Sequence, residues 1–232
     1  MSNQIQISII IPASFELDKA IMLAADIGRL TSSSNIKEII IVTSEQAGLK
    51  RNYNISAKTV ILQSKPQRAA AMNVGSKFAK GELLYFLHAD SQPPIDFDIS
   101  VLRAYASGSE AGCFRLKFDD NNLMLKLFAF FARLPWYWAH YGDQSLFTVR
   151  KLFNQVGGFD ESLTTMEDID LVKRIKQQAS FKVIDKYITT SARKYRQHGY
   201  YKVQAIFVLV VLMYLLGFTQ KSILKRLDPI KN

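Results

Sequence analysis

Cysteine is all but missing from this chain. Cys113 is the only one, so no internal disulfide and no multi-cysteine metal centre can form, and a reducing compartment suits it. Low-complexity tracts are absent. No helix-turn-helix, zinc-finger or RNP-like pattern accompanies the net charge of +10, which argues against a nucleic-acid partner. The apolar run within Met1 to Ile11 is short, lacks a basic start and leads straight into Pro12, so no secretory leader is expected. What remains is a globular composition, 48% hydrophobic over 232 residues, enough for one large domain with an appendage.

The stretch that organises the chain runs from Gly81 to Pro94. Leu83 to Leu87 is continuously apolar, as expected of a strand buried on both faces in a parallel sheet. Pro93 and Pro94 cannot extend it, so His88 and Asp90 fall where a buried strand meets the surface. An ordinary polar turn would look the same from this stretch alone.

The flanking pattern alternates strands and helices. Gln6 to Ile11 reads as a strand ending at Pro12, and Leu17 to Leu30 as a helix. Ile36 to Val42 reads as a strand ending at Thr43, and Thr59 to Leu62 as a third. Gln67 to Lys80 reads as a small-residue helix. This order implies βαβ units and an α/β fold with a mainly parallel sheet flanked by helices. The strand ends at Pro12 to Glu16, Thr43 to Gly48 and His88 to Asp90 then share one edge, where ligands bind in open α/β sheets. Further on, Ala111 to Phe118 and Gln144 to Val149 suggest strands. Leu123 to His140 suggests a helix with a loop at Pro135. A short helix precedes a turn at Gly157-Gly158, and Met166 to Gln177 is a helix opened by acidic residues. Helix polarity alone would favour Glu167 and Asp168 there.

Four motifs in order carry a resemblance: Ile10-Ile11-Pro12 with Glu16; His88-Ala89-Asp90; Gly157 to Glu161; and Glu167-Asp168-Ile169-Asp170-Leu171 with Arg174. Together they resemble glycosyltransferase family 2, over about Ile7 to His198. The likeness is strongest to a small bacterial branch with a His-Ala-Asp metal motif and a Tyr-Gly-Asp-Gln segment, here Tyr141 to Gln144. The resemblance implies the GT-A (Rossmann-like) fold over residues 1–200 and a divalent metal, Mg²⁺ or Mn²⁺. It also implies inverting transfer of a sugar from a nucleotide-diphosphate donor to an acceptor hydroxyl. Asp90 would bind the metal, His88 stands where the family has its first acid, and His198 would be a late metal ligand. Glu16 and Pro12 lie by the nucleoside, and Asp168 matches the catalytic base beside Glu167. Tyr141, Asp143, Gln144 and Trp136 fall on the acceptor side.

These residue types suit that chemistry. Oxygen ligands hold an ion that neutralises the departing diphosphate. Lys65 and Arg68 could add fixed positive charge, or simply be a solvated helix start. A partly buried carboxylate suits removal of the acceptor proton. One departure stands out: where the family has a base-recognising Asp, this chain has Thr43 in Val42-Thr43-Ser44-Glu45. The donor differs, Glu45 substitutes, or donor binding has decayed. The last case would leave a catalytically silent GT-A scaffold. A sugar nucleotidyltransferase would need a Gly-rich basic loop after the first strand, which Pro12 to Glu16 lacks.

Residues 201–232 form a C-terminal apolar and basic segment. Val203 to Leu216 is apolar except for Gln204, shorter than the ~20 residues that span a bilayer. Arg193, Lys194, Arg196 and Lys202 precede it; Lys221, Lys225 and Arg226 follow. That pattern suits an anionic membrane interface, hence a cytoplasmic protein peripheral on the inner face of the cell membrane. The aromatic stretch Leu127 to Trp138 could join the surface, which would fit a lipid-linked acceptor; a cell-envelope glycan is the other acceptor expected. Burial against the domain, or a homodimer through this segment, is the alternative.

Overall fold

The computed structural model describes residues 5–14, 16–31, 34–44 and 58–230. The chain begins β1 (Ile7–Pro12), α1 (Leu17–Leu30), β2 (Ile36–Thr43), β3 (Thr59–Gln63), α2 (Arg68–Phe78) and β4 (Leu83–Phe86). It continues β5 (Ser91–Gln92), α3 (Phe97–Ala106), β6 (Ala111–Phe118), α4 (Leu123–Phe131) and β7 (Leu146–Val149). It ends α5 (Arg150–Gln155), α6 (Glu167–Lys176), β8 (Phe181–Thr190), α7 (Arg193–His198), α8 (Tyr200–Leu215) and α9 (Gln220–Leu227). The strands form one sheet in the order β3-β2-β1-β4-β7-β6-β8-β5. β3, β2, β1 and β4 are mutually parallel. β7 runs antiparallel between β4 and β6, and β8 is parallel to β6.

The isoleucine-rich strands are buried on both faces because helices cover both. Successive side chains of a strand point to opposite sides. Ile7, Ile9 and Ile11 therefore join a core with Leu17, Ala20 and Ile27 of α1 and Phe97 and Val101 of α3. Ile10 points the other way, into a core with Met72 of α2, Phe153 of α5 and Leu171 and Ile175 of α6.

A polar clip sets where β4 enters. Ser8 Oγ donates to Glu38 Oε1 at 2.7 Å and accepts from the Gly81 amide at 2.8 Å. The Lys80 amide donates to the same Glu38 oxygen at 2.6 Å. Gly81 is obligatory here, since a Cβ would lie 2.7 Å from both the Gln6 carbonyl oxygen and the Ser8 nitrogen. The clip fixes the register Ile7↔Leu83 to Ile10↔Phe86, and hence where His88 emerges.

Two elements differ in extent from the sequence reading. The helix expected over Leu123 to His140 stops at Phe131, and a 3-10 turn at Tyr137–Ala139 follows Pro135. The strand expected from Gln144 starts at Leu146, because Gly142–Gln144 forms a 3-10 turn. β8, β5 and α3 complete the second half of the fold. In β8 the apolar residues are broken by Lys182, Asp185 and Lys186, and β5 has only two residues, so neither carries a strong apolar signal. The C-terminal segment packs on the domain: Val203 lies in the larger core, and Val210 and Met213 pack with Ile223 and Met166.

Replacing Gly81 by Ala should cost ~1–3 kcal/mol through overpacking. Gly28→Ala, in the last turn of α1 with nothing within 4 Å of the new methyl, should instead stabilise by up to about 0.5 kcal/mol. Urea midpoints of the two variants at unchanged slope test this opposite pair.

Candidate functional site

After Leu87, whose amide still bonds the Ile10 carbonyl at 2.9 Å, the chain leaves the sheet. It turns at once, with the Ser91 amide donating to the His88 carbonyl at 3.1 Å. This puts His88 and Asp90 at the carboxyl end of β4. The 3-10 turn Gly142–Gln144 brings Asp143 to the same place, with Asp143 Oδ1 3.3 Å from His88 Nδ1. Ligand atoms of His88, Asp90 and Asp143 all lie within 4.8 Å of one another. An imidazole and two carboxylates at that spacing are a suitable donor set for a divalent ion. The nitrogen ligand favours a transition ion such as Mn²⁺ over Mg²⁺.

A second acidic pair faces this cluster from the first turn of α6. Glu167 is buried, and its Oε1 accepts from Arg68 Nη1 at 3.4 Å; Asp168 Oδ2 lies 4.0 Å from the same nitrogen. Both carboxylates sit at the positive end of the helix. Met166 ahead of them has φ 68°, and Ser145 after the 3-10 turn has φ 55°. Two non-glycine residues in this region store backbone strain beside the cluster. Gly142 separates the two groups: a Cβ there would be 2.3 Å from His88 Cε1 and 2.5 Å from Asp168 Oδ2. Only a glycine lets His88 and Asp168 approach this closely.

The charges are unbalanced. Asp90, Asp143, Glu167 and Asp168 all act on Arg68 and overcome the burial that would lower its pKa. Burial raises the Glu167 pKa, and Asp168 beside it adds to the rise. Burial followed by the Asp143 charge raises that of Asp90. Burial would also raise Asp143, but its bond to His88 and the nearby Arg68 hold it below the usual range. For His88, burial and Arg68 would lower the pKa, yet Asp143 and Asp168 carry it above the ordinary imidazole value.

The other residues singled out from sequence fall in distinct places. Pro12 closes β1 at the same sheet edge. Glu16 pairs with Lys19 and, at 3.3 Å, with Arg193 of α7. Thr43 is buried at the end of β2, its carbonyl bonded to the Ser64 amide at 2.9 Å; Glu45 lies outside the described residues. Lys65 pairs with Glu161 at 2.7 Å, away from the acidic centre. His198 ends α7 and is not in the three-residue cluster. Tyr141 borders the cleft, while Trp136 is half-exposed and stacks on Trp138 with centroids 4.7 Å apart. Gln144 is fully buried: its amide donates to the carbonyls of Phe114 at 3.2 Å and Ala132 at 2.9 Å, and its Oε1 accepts the Tyr141 amide. It shapes the turn that presents Asp143.

Sequence reasoning missed Lys194. From α7 it lies within reach of the Asp143 and Asp90 charges, and burial, then Arg68, lowers its pKa; in the sequence it read only as a basic flank. Also missed was His140, in a small cavity beside Asp168 with Cys113, Gly142 and Phe181. Burial drops its pKa to about 4, keeping the ring neutral, and lifts the Cys113 thiol to about 12, leaving it unreactive.

Because Gly142 separates the two acidic groups, Gly142→Ala should weaken Mn²⁺ binding by at least about tenfold while costing ~1–3 kcal/mol of stability. Titration of the folded variant, with its melting curve as control, measures both.

Neither a family model nor a curated protein matches the sequence. Solved structures do match in shape. TarS from S. aureus superposes with a TM-score of 0.63 at 13% identity, over 94% of this chain and 44% of that one. GalNAc-T7, crystallised with UDP, GalNAc and Mn²⁺, superposes with a TM-score of 0.61 at 12% identity, over 82% of this chain and 44% of that one. The chain thus spans less than half the length of either. Its mainly parallel sheet, with the antiparallel β7 joining a second half, is the GT-A fold of glycosyltransferases.

Proposed function

We propose that the protein is a metal-dependent, inverting glycosyltransferase that moves a sugar from a nucleotide diphosphate to an acceptor hydroxyl. One observation carries this: a His88–Asp90–Asp143 cluster and a Glu167–Asp168–Arg68 cluster meet on either side of Gly142. Four carboxylates against Arg68 and Lys194 leave the cleft net negative, and a nucleotide diphosphate would be repelled from it without a cation. The likeness in shape to a protein crystallised with UDP, GalNAc and Mn²⁺ supports the same reading.

A divalent ion held by His88, Asp90 and Asp143 would supply charge neutralisation for the diphosphate. Arg68 and Lys194 add fixed positive charge at the same end. Asp168, the less buried of the α6 pair, takes the acceptor proton as the hydroxyl attacks the anomeric carbon. Glu167, buried against Arg68, holds that side chain across the cleft. Attack opposite the leaving diphosphate inverts the anomeric centre. Tyr141 and Trp136 border the acceptor side. Thr43 favours a second reading, a silent binding scaffold, since a buried hydroxyl brings no charge to the base pocket.

Calorimetry with a nucleotide-diphosphate panel, with and without Mn²⁺, separates the two. Metal-dependent binding of one nucleotide that disappears in Asp90→Ala is the expected result; no binding at millimolar concentration would leave only the scaffold. Mn²⁺ must displace the proton His88 holds above its ordinary pKa. Affinity should therefore fall as pH drops through that value, with proton release visible as a buffer-dependent enthalpy. In the transfer assay Asp168→Asn should lower kcat by about 10²–10⁴ with donor affinity nearly unchanged, and an equal loss of donor binding would remove Asp168 from the role of base.

A further inference from the structure

At 3.6 residues per turn, Tyr201, Ala205, Val208 and Leu212 of α8 fall on one face, flanked by Leu209, Leu215 and Leu216. That face is open: Tyr201 is 82% exposed, Leu212 50% and Leu216 75%, and Phe218 follows at 52%. The opposite face is buried through Val203, Val210 and Met213. A helix apolar all round is normally covered on every side, and none of the described residues covers this stripe. No described helix is long and apolar enough to cross a membrane.

Charge identifies the occupant. From Lys186 to Leu227 the sequence holds eight Lys or Arg and no Asp or Glu. α9, packed beside α8, turns Lys221, Lys225 and Arg226 to solvent. A second copy of the chain would set these cations against their equals. An anionic lipid surface accepts the apolar stripe and attracts the exposed basic residues of the same hairpin.

The same hairpin reaches the acidic pair of α6. Gln220 Oε1 accepts the amides of Thr164 at 3.2 Å and Thr165 at 3.3 Å, the two residues before Met166. Met166, in its left-handed conformation, packs against Val210, Met213 and Ile223. Tyr214 donates its hydroxyl to Asp170 Oδ1 at 3.3 Å. We propose that the α8–α9 hairpin docks on anionic bilayers through this stripe and, by the same contacts, firms the 164–166 turn that presents Glu167 and Asp168. What that firming does for catalysis rests on the transferase reading; docking and firming do not.

The test uses the full chain and needs no activity. Co-sedimentation with vesicles of equal parts phosphatidylcholine and phosphatidylglycerol should capture the protein, and phosphatidylcholine alone should not. Leu212→Glu with Leu216→Glu should abolish capture without moving the melting temperature, since both residues face solvent. Lys221→Glu, Lys225→Glu and Arg226→Glu together should weaken capture by more than about tenfold, each basic residue being worth about a factor of five. Mixed vesicles should slow hydrogen exchange at the Thr164 and Thr165 amides, and Gln220→Ala should speed it while the protein stays bound. Failure to bind mixed vesicles, or a dimer in sedimentation velocity that only Leu212→Glu dissolves, overturns the docking. Exchange indifferent to vesicles overturns the coupling. A failed nucleotide titration alongside successful docking would count against the transferase reading alone.

Discussion

Like charge held at close range is the constraint on which this structure turns. Asp90, Asp143, Glu167 and Asp168 approach one another around Gly142, although each would lower its energy by moving apart. Arg68 offsets part of the repulsion, the bond between His88 and Asp143 another part, and Lys194 a little more. Such a cluster persists only if the scaffold fixes every member separately. β4 delivers His88 and Asp90, a 3-10 turn delivers Asp143, and the first turn of α6 delivers Glu167 and Asp168.

Each of those deliveries has its own brace. The Ser8–Glu38–Gly81 clip sets the register of β4 on β1. Gln144, buried with both ends of its amide bonded, holds the turn that carries Asp143. Arg174 donates to the carbonyls of Val156 at 2.5 Å and Gly158 at 2.7 Å while pairing with Asp170, locking the Gly-Gly turn to α6. The strained backbone at Met166 and Ser145 survives because packing on both sides over-determines it.

The parallel half and the C-terminal half are also tied across the cleft. Glu16, at the start of α1, reaches Arg193 of α7, and Arg196 of the same helix pairs with Asp119 and Asp120 just after β6. The elements after β8 thus close one side of the site, and Lys194, between Arg193 and Arg196, enters the electrostatics of the His88–Asp90–Asp143 cluster by that route.

The sequence by itself determined the parallel half and the edge at which its strands end. Continuous apolar runs ending in Pro12, Thr43 and His88 leave little choice for strands covered on both faces, and α1 spans the residues its periodicity indicates. Asp90 and Asp168 stood out only through the motifs that carry the family resemblance, and Arg68 read equally well as a solvated helix start. Only the tertiary structure decided which groups meet. Spacing along the chain carries no information on whether Asp143 faces an acceptor or His88, whether Gln144 points outward or braces a turn, or whether Lys65 is taken by Glu161. Those pairings depend on the antiparallel insertion of β7 and on helices packed across the sheet, contacts between residues tens of positions apart that no local pattern encodes.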